Sequence, residues 1–513
     1  MNKPKKNVLL IVVDQWRGDT LAKLGHPVIK TPNIDALSEQ GVTFARHYTQ
    51  AVPCGPGRAS LLTGLYMMTH RAVQNTIPLD ARHTNIAKEV RKAGYEPALV
   101  GYTTTTPDPR HVDAQYPRFK VLGGDMEGWR PVGSWGLKME AYFAWLSAQG
   151  YALPDNPWDI WLPQGQTEED KGATNKPSAV PAELSDTTWF TDRAIEYLHG
   201  VQDKPWFLHL GYYRPHPPFS APAPYHDMYD PADCPSPVRA ESAQTEAEQH
   251  PLLEFYLDNV ERKKFFQNGD GLGCNMDDAE VRQMRATYYG LMSEVDDQLG
   301  RVFDFLKKTG QWDNTLIVFT SDHGEQLGDH HLLGKLGYFD QSYHIPMIIR
   351  DPAKTADATR GSIVERFTET IDTMPTLLNW LELPVPRTCD GYSLLPFMHN
   401  GAAPTDWRTE VHYEFDFRNI FYSKPEEALG LKMDECALSV IQNERYKYVH
   451  FAALPPLFFD LQKDPNQLHN VAQDPLYTQQ ILDMAGKMLN WKLLHADRTL
   501  TGYAASPAGL TSR

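Results

Sequence analysis

Three features are scarce in this chain of 513 residues, and each scarcity excludes a class of protein. It has no run of about 18 apolar residues, which a membrane-spanning helix requires, so we expect no membrane partner. Its 49 basic residues are outnumbered by 65 acidic ones, and the net charge of −16 argues against a nucleic acid polymer as partner. Its five cysteines are odd in number and lack metal-type spacing, which makes a reducing cytoplasm the expected location.

The first apolar run, Val8–Val13, follows several lysines and superficially resembles a signal peptide. It is short, however, and it ends in Asp14 with no small-residue cleavage site. Because the run shows no alternation of apolar and polar residues, we interpret it as a strand buried on both faces of a parallel sheet.

Further apolar runs and helical patterns alternate along the chain. Strands are predicted near Pro97–Gly101, Trp206–Gly211 and Leu316–Phe319, and the clearest helix spans Ala286–Lys308. This alternation predicts an α/β fold with a mostly parallel central sheet sandwiched by helices. Ligands of such folds bind beyond the carboxyl ends of the strands, so polar residues that follow four strands should converge on one crevice. These residues are Asp14-Gln15, Tyr102–Thr104, His216 and Asp322-His323.

The composition shifts near Pro384–Pro386, and we place a domain boundary there. The predicted units are a catalytic α/β domain at 1–385, a smaller C-terminal α+β domain at 386–475 and a C-terminal helical extension at 476–513. Two stretches without clear periodicity, near 116–186 and 220–278, are interpreted as insertions that shape or cover the site.

The most informative stretch is Cys54-Gly55-Pro56-Gly57-Arg58, followed by Ala59-Ser60-Leu61-Leu62-Thr63-Gly64. Pro56 suits the first position of a helix, so Cys54 is expected just outside it, where free backbone N–H groups form an anion site. Two other interpretations of these residues remain open. A cysteine is often a small buried residue without a chemical role, and a thiolate can itself be a nucleophile.

This stretch resembles the signature of the type I sulfatases, a branch of the alkaline phosphatase superfamily. The resemblance implies that a formylglycine-generating system oxidises Cys54 to formylglycine, whose hydrated aldehyde is the nucleophile, and that Arg58 orients the hydrate. The segment from Asp322 to Arg350 resembles the second conserved block of sulfatases, which implies that Lys335 contacts a non-bridging oxygen of the substrate. By the same resemblance, His216 protonates the leaving group.

Asp14, Gln15, Asp322 and His323 resemble the metal site of the sulfatase-like branch. The resemblance implies that they hold one divalent cation, which also binds an oxygen of modified Cys54. Two carboxylates, an amide and an imidazole suit Mn²⁺ best, with Fe²⁺ or Zn²⁺ as alternatives, and suit Ca²⁺ less well. Many sulfatases carry Asp and Asn at the second and last of these places and bind calcium, and this chain departs from them.

Gly101-Tyr102-Thr103-Thr104 discriminates within the superfamily, because sulfatases usually carry Gly-Lys-x-His there. With Arg71–Thr76 and Asp108–Arg110, it makes the chain similar to the phosphonate monoester hydrolases and phosphodiesterases. This resemblance implies that Asn75, Tyr102 and Thr104 contact a small anionic ester, and that the chain forms a homo-oligomer, a tetramer in related hydrolases.

The sequence therefore predicts a metal-dependent hydrolase of phosphonate monoesters and phosphodiesters. We expect promiscuity towards sulfate and other phosphoryl esters, because a sulfate monoester is a monoanion like a phosphonate monoester. The alternatives are an arylsulfatase or alkyl sulfatase and, from another class, a catalytically silent binding protein that kept the fold.

Overall fold

The structure is a computed structural model that describes residues 6–120, 123–165, 167, 171–419 and 424–512, with only the backbone of Leu137 and Asn400. The strands are β1 (Asn7–Asp14), β2 (Val42–Tyr48), β3 (Ala51–Val52), β4 (Ala98–Val100), β5 (Arg130–Gly133), β6 (Phe207–Pro215), β7 (Thr315–Ser321), β8 (Met347–Arg350), β9 (Ile363–Glu369), β10 (Glu410–Asp416), β11 (Ala437–Asn443), β12 (Tyr446–Phe451), β13 (Leu457–Asp460), β14 (Tyr503–Ser506) and β15 (Gly509–Ser512).

The helices are α1 (Pro32–Gln40), α2 (Cys54–Thr63), α3 (Met67–His70), α4 (Ile86–Lys92), α5 (Glu140–Ala148), α6 (Asp186–Gly200), α7 (Ala243–Ala247), α8 (Pro251–Asn259), α9 (Asp278–Lys308), α10 (Asp340–Tyr343), α11 (Thr373–Trp380), α12 (Leu395–Asn400), α13 (Lys424–Leu429) and α14 (Thr478–Leu494).

The larger sheet has the order β5-β4-β6-β1-β7-β8-β2-β9. Strand β1 runs parallel to β6 and β7. Val8 of β1 is in register with Phe207 of β6 on one side and with Leu316 of β7 on the other. Only β8 is antiparallel to its neighbours, so the sheet is mostly parallel as predicted. All residues of β1 are buried, which explains why its sequence is apolar without alternation.

Alternate residues of β1 point into two different hydrophobic cores. Leu9, Ile11 and Val13 face a core that includes residues of α6 and α9. Val8 and its partners on the other face pack with residues of α2, α4 and α11. Helices therefore cover both faces of the larger sheet, and the predicted α/β fold class is confirmed.

The smaller sheet has the order β13-β12-β11-β10-β3 and is antiparallel except at β3. Strand β3 comes from the first part of the chain, and its Ala51 is level with Glu414 of β10. Because β3 ends two residues before Cys54, the C-terminal sheet supports the start of α2 directly. The boundaries at residues 385 and 475 stay a prediction.

The two stretches without clear sequence periodicity contain regular elements. In 116–186, β5 pairs with the edge of the larger sheet, and α5 buries Tyr142, Phe143 and Leu146. In 220–278, α7 and α8 are short helices. Their local sequences give no strong periodic signal, so tertiary contacts such as the pairing of β5 with β4 stabilise them.

In the described part of the chain, no helix combines the length and apolar character needed to cross a membrane.

Candidate active site

The carboxyl ends of β1 and β7 place polar side chains at one edge of the larger sheet. Asp14 is the last residue of β1, and Asp322 and His323 follow β7 directly. Together with Cys54 they offer ligand atoms that all lie within 4.8 Å of one another, and all four residues are buried. The convergence predicted from the strand ends is therefore observed for these groups.

Helix α2 brings Cys54 to this edge. The helix begins at Cys54 itself, with Pro53 as the preceding residue, so the expectation that Pro56 opens the helix was wrong by two positions. Pro56 is tolerated because the N–H groups of the first turn have no intrahelical acceptor, so the N–H that proline lacks costs no helical hydrogen bond. Gly57 is required by a close approach, since an added Cβ would lie 2.6 Å from the carbonyl oxygen of Asp322.

The thiol of Cys54 lies among groups that disfavour its ionisation. Its Sγ is 3.1 Å from Nε2 of His323 and 3.7 Å from Oδ1 of Asp14. Burial and the Asp14 carboxylate raise the pKa of the thiol well above its ordinary value. A free thiolate nucleophile is therefore not favoured by these protein groups.

Arg58 binds one oxygen, Oδ2, of each of the two carboxylates of Asp14 and Asp322. Its Nε donates to Oδ2 of Asp322 at 2.8 Å, and its Nη2 donates to Oδ2 of Asp14 at 3.2 Å. The third contact runs from Nη1 to the carbonyl oxygen of Tyr102 at 2.9 Å. The other oxygen of each carboxylate, Oδ1, faces His323. Nε2 of His323 is 3.6 Å from Oδ1 of Asp14 and 3.8 Å from Oδ1 of Asp322.

The donor set fits a divalent cation. His323 donates from Nδ1 to the carbonyl oxygen of Gly324 at 2.9 Å, so its Nε2 presents a lone pair to the two carboxylates. Buried carboxylates that face each other and an imidazole are favoured when a cation neutralises them. These residues are among the metal ligands predicted from the sequence, and the structure brings them together.

Gln15 and Lys335 meet beside this cluster. Gln15 has a left-handed backbone (φ 70°), and its N–H donates to Oδ1 of Asp322 at 3.2 Å. Its amide oxygen accepts a hydrogen bond from Nζ of Lys335, and its amide nitrogen donates to Glu325. Glu325 was not predicted from the sequence as part of the site. Its position two residues after His323 is the only sequence signal that points to it.

The predicted substrate-binding residues surround the start of α2. Oδ1 of Asn75 accepts from the N–H of Gly55 at 2.7 Å, and Tyr102 donates its hydroxyl to Oδ2 of Asp14 at 2.6 Å. Thr104 is close to the same glycine, because a Cβ on Gly55 would lie 3.0 Å from its carbonyl oxygen. Among the described residues, the buried hydroxyl of Thr104 has no hydrogen-bond partner, so it is available to bind a ligand.

His216 lies in the turn that follows β6. Its Nδ1 donates to the carbonyl oxygen of Pro217 at 2.7 Å, and its ring packs on Tyr213 with centroids 4.5 Å apart. Burial and the ammonium group of Lys335 lower the pKa of His216 to about 3. The imidazole is therefore neutral at physiological pH, with an unprotonated Nε2.

Comparisons with known proteins find relatives over most of the chain. The family model described as Sulfatase matches residues 6–383, and the model described as N-sulphoglucosamine sulphohydrolase, C-terminal, matches residues 328–493. The multifunctional alkaline phosphatase superfamily protein PehA of Trinickia caryophylli is 58% identical over 514 residues, with 99% of each chain covered.

Two solved structures resemble the whole chain. The phosphonate monoester hydrolase of Agrobacterium radiobacter is 44% identical with a TM-score of 0.94, and that of Silicibacter pomeroyi is 38% identical with a TM-score of 0.92. Each comparison covers 99% of both chains. The family match over most of the chain, the similarity to these relatives and the cluster around Cys54 lead to one conclusion: the chain belongs to the sulfatase family.

Proposed function

We propose that the chain is a metal-dependent hydrolase of phosphonate monoesters and phosphodiesters whose nucleophile is a formylglycine made from Cys54. The observation that carries this proposal is the position of Cys54 at the start of a buried helix, within 4.8 Å of three candidate metal ligands. The two solved phosphonate monoester hydrolases, which resemble the chain over its full length, support the substrate class.

The residues that would hold the cation are Asp14, Gln15, Asp322 and His323, together with an atom of residue 54. The mixture of oxygen donors with one imidazole favours Mn²⁺, and it also suits Fe²⁺ or Zn²⁺ better than Ca²⁺. When bound, the cation acts as a Lewis acid that polarises the ester and favours the ionised form of a neighbouring hydroxyl.

In the first step, one hydroxyl group of the formylglycine hydrate gives up its proton to solvent and its oxygen attacks phosphorus, while the bond to the leaving alkoxide breaks. The ammonium of Lys335 and the polar groups of Asn75 and Thr104 stabilise charge on the non-bridging oxygens. His216 gives the leaving oxygen its proton. The neutral imidazole first takes up a proton from solvent at Nε2, and the negative charge of the bound ester favours this uptake because it raises the pKa of His216.

In the second step, the other hydroxyl of the hydrate loses its proton to solvent, and its oxygen forms the C=O bond of the aldehyde. The carbon–oxygen bond to the bound phosphonate breaks with its electron pair on the departing oxygen. Addition of water then restores the hydrate. Arg58 holds the two carboxylates that border this reaction, since its nitrogens are engaged with Asp14 and Asp322.

A cleft of about 530 Å³ beside Thr104 is suited to the organic part of the ester. Its walls include Thr76, Phe119 and Lys138, and most of its surface is apolar. A phosphonate or phosphodiester with an aromatic or alkyl group fits such a wall by burial of apolar surface. The sulfate esters of an arylsulfatase carry the same single charge, so we expect measurable activity towards them.

The partners follow from this chemistry. A formylglycine-generating system of the host converts Cys54, and the free cysteines in the described residues are compatible with a cytoplasmic enzyme. We also propose a homo-oligomer, a tetramer as in related hydrolases. Helix α14 supports it, because Leu482, Leu489 and Leu493 leave 61%, 60% and 70% of their surface exposed.

The experiment that tests this function combines two measurements on one preparation. Intact-mass analysis gives the fraction of chains in which residue 54 has lost the mass of H₂S and gained that of oxygen. Matched nitrophenyl esters then give kcat/KM for a phosphonate monoester, a phosphodiester and a sulfate. The proposal predicts that the phosphonate monoester and phosphodiester are preferred. A preference for sulfate by orders of magnitude would favour an arylsulfatase.

A further inference from the structure

Glu325 is a fully buried carboxylate that accepts three hydrogen bonds from described residues. Its Oε1 accepts from the backbone N–H of Leu327 at 3.2 Å and from that of Gly334 at 2.5 Å. Its Oε2 accepts from Nε2 of Gln15. Oε1 therefore binds the loop that leads to Lys335, and Oε2 binds the side chain of Gln15.

The amide of Gln15 is held in one orientation by its two neighbours. An amide has a donating nitrogen and an accepting oxygen, whereas an ionised carboxylate only accepts and an ammonium only donates. Glu325 accepts a hydrogen bond from the amide nitrogen of Gln15, and Lys335 donates one to the amide oxygen on the other side. Gln15 is itself fully buried, so no solvent competes for either end.

We propose that Glu325 is a positioning residue that turns the amide oxygen of Gln15 towards the cation. The inference rests on the proposed function, in which Gln15 is a metal ligand. Only the oxygen of an amide ligates a cation, so an amide rotated by half a turn would present N–H groups and repel it. The bond from Gly334 to the same carboxylate places Lys335, the next residue, on the oxygen side.

The isosteric variant Glu325→Gln tests this orientation. Oε1 of the new glutamine keeps its bonds to Leu327 and Gly334, so the new NH₂ replaces Oε2 and faces Nε2 of Gln15. Two donors in contact force the amide of Gln15 to rotate. We expect the affinity for Mn²⁺ to fall by about 10–100-fold, the range seen when a residue that orients a metal ligand is removed.

The exchange Gln15→Glu in the Glu325→Gln background tests the same point by rescue. A glutamate at 15 accepts from the new NH₂ and directs its second oxygen to the cation and Lys335. The double variant is therefore expected to bind Mn²⁺ far more tightly than Glu325→Gln. The single variant Gln15→Glu brings two carboxylates into contact, so it should bind more weakly than the double variant.

The experiment titrates chelator-stripped full-length protein with Mn²⁺ by calorimetry and monitors thermal unfolding of every variant. Glu369→Gln is the matched control, because Glu369 is equally buried and accepts hydrogen bonds from Tyr66 and His412 away from the site. Its affinity should match that of the unsubstituted protein, whereas that of Glu325→Gln should not.

Equal affinity of the unsubstituted protein and Glu325→Gln would overturn the inference alone. A double variant that binds no better than either single variant would overturn it as well, including when Glu325→Gln does not fold. If the unsubstituted protein bound no divalent cation, the proposed function would fall together with the inference.

Discussion

Nε2 of His323 lies 3.1 Å from Sγ of Cys54, although 269 positions separate the two residues in the chain. One of them follows β7 of the larger sheet, and the other opens α2, which β3 of the smaller sheet precedes. Their contact joins the two stretches of the sequence that resemble the conserved blocks of sulfatases. In our account, the nucleophile and the cation meet at this contact.

Cys54→Ser tests the need for two hydroxyl groups on residue 54. A serine can form the first covalent bond to phosphorus, but it has no second hydroxyl with which to expel the product. We expect steady-state turnover of a phosphonate monoester to fall by several orders of magnitude. Intact-mass spectrometry should detect protein that carries the phosphonate. Ordinary turnover by the serine variant would contradict the role of the hydrate.

Arg214→Lys tests how the loop of His216 is held. Arg214 is buried, donates to the carbonyl oxygens of His216 at 3.1 Å and Pro218 at 2.8 Å, and stacks on Trp161. Lysine cannot make these contacts together. If the loop shifts, proton donation suffers, and kcat for alkyl leaving groups should fall by about 10–100-fold.

The leaving-group dependence distinguishes this role from a loss of folded protein. A nitrophenolate leaves without needing a proton, so its kcat should change little in Arg214→Lys. The control Arg301→Lys alters an ion pair with Asp192 on the surface of α9 and should affect neither ester. Equal loss for both esters in Arg214→Lys would argue against a role in proton donation.

Glu294→Gln tests a pH dependence of stability. Burial and the carboxylate of Asp186 raise the pKa of Glu294 from 4.5 to about 7 in the folded protein. A raised folded pKa means that this contribution to stability is complete below pH 4.5 and is lost as the pH rises through about 7. The loss is about 3 kcal/mol, at about 1.4 kcal/mol for each pKa unit.

Glutamine does not ionise. The free energy of unfolding of Glu294→Gln should therefore fall less than that of the unsubstituted protein when the pH rises above 7. Urea unfolding at pH values below 4.5 and above 7 measures both free energies of unfolding. The exposed Glu254→Gln on α8 is the control and should follow the unsubstituted protein. If the free energy of unfolding of Glu294→Gln fell as much as that of the unsubstituted protein, the pH dependence would belong to other groups.

Leu489→Glu tests the proposed oligomer. Leu489 lies on the exposed face of α14 between Leu482 and Leu493. A buried charge in a subunit interface is unfavourable, so we expect a smaller species in sedimentation or light scattering. The exposed Lys432→Glu lies outside α14 and serves as a charge control. An unchanged mass for Leu489→Glu would place the interface elsewhere.

The central strand and its polar ends could be predicted because they depend on local rules. The unbroken apolar run of β1 indicates burial on both faces, and parallel neighbours carry Asp14 and Asp322 to the same edge. The start of α2 was misplaced because proline is acceptable anywhere in a first turn. Strand β5 pairs with β4, and Glu325 accepts a hydrogen bond from Gln15, which is 310 positions distant, so neither contact can be read from local sequence.

The most direct test of the account compares activity with the chemical state of residue 54. Preparations with different fractions of formylglycine, each saturated with Mn²⁺, are assayed with one phosphonate monoester, and the fraction is measured by intact mass. We predict that kcat per total chain rises in proportion to the fraction converted and extrapolates to zero for unmodified Cys54. Activity that is independent of this fraction would contradict the account.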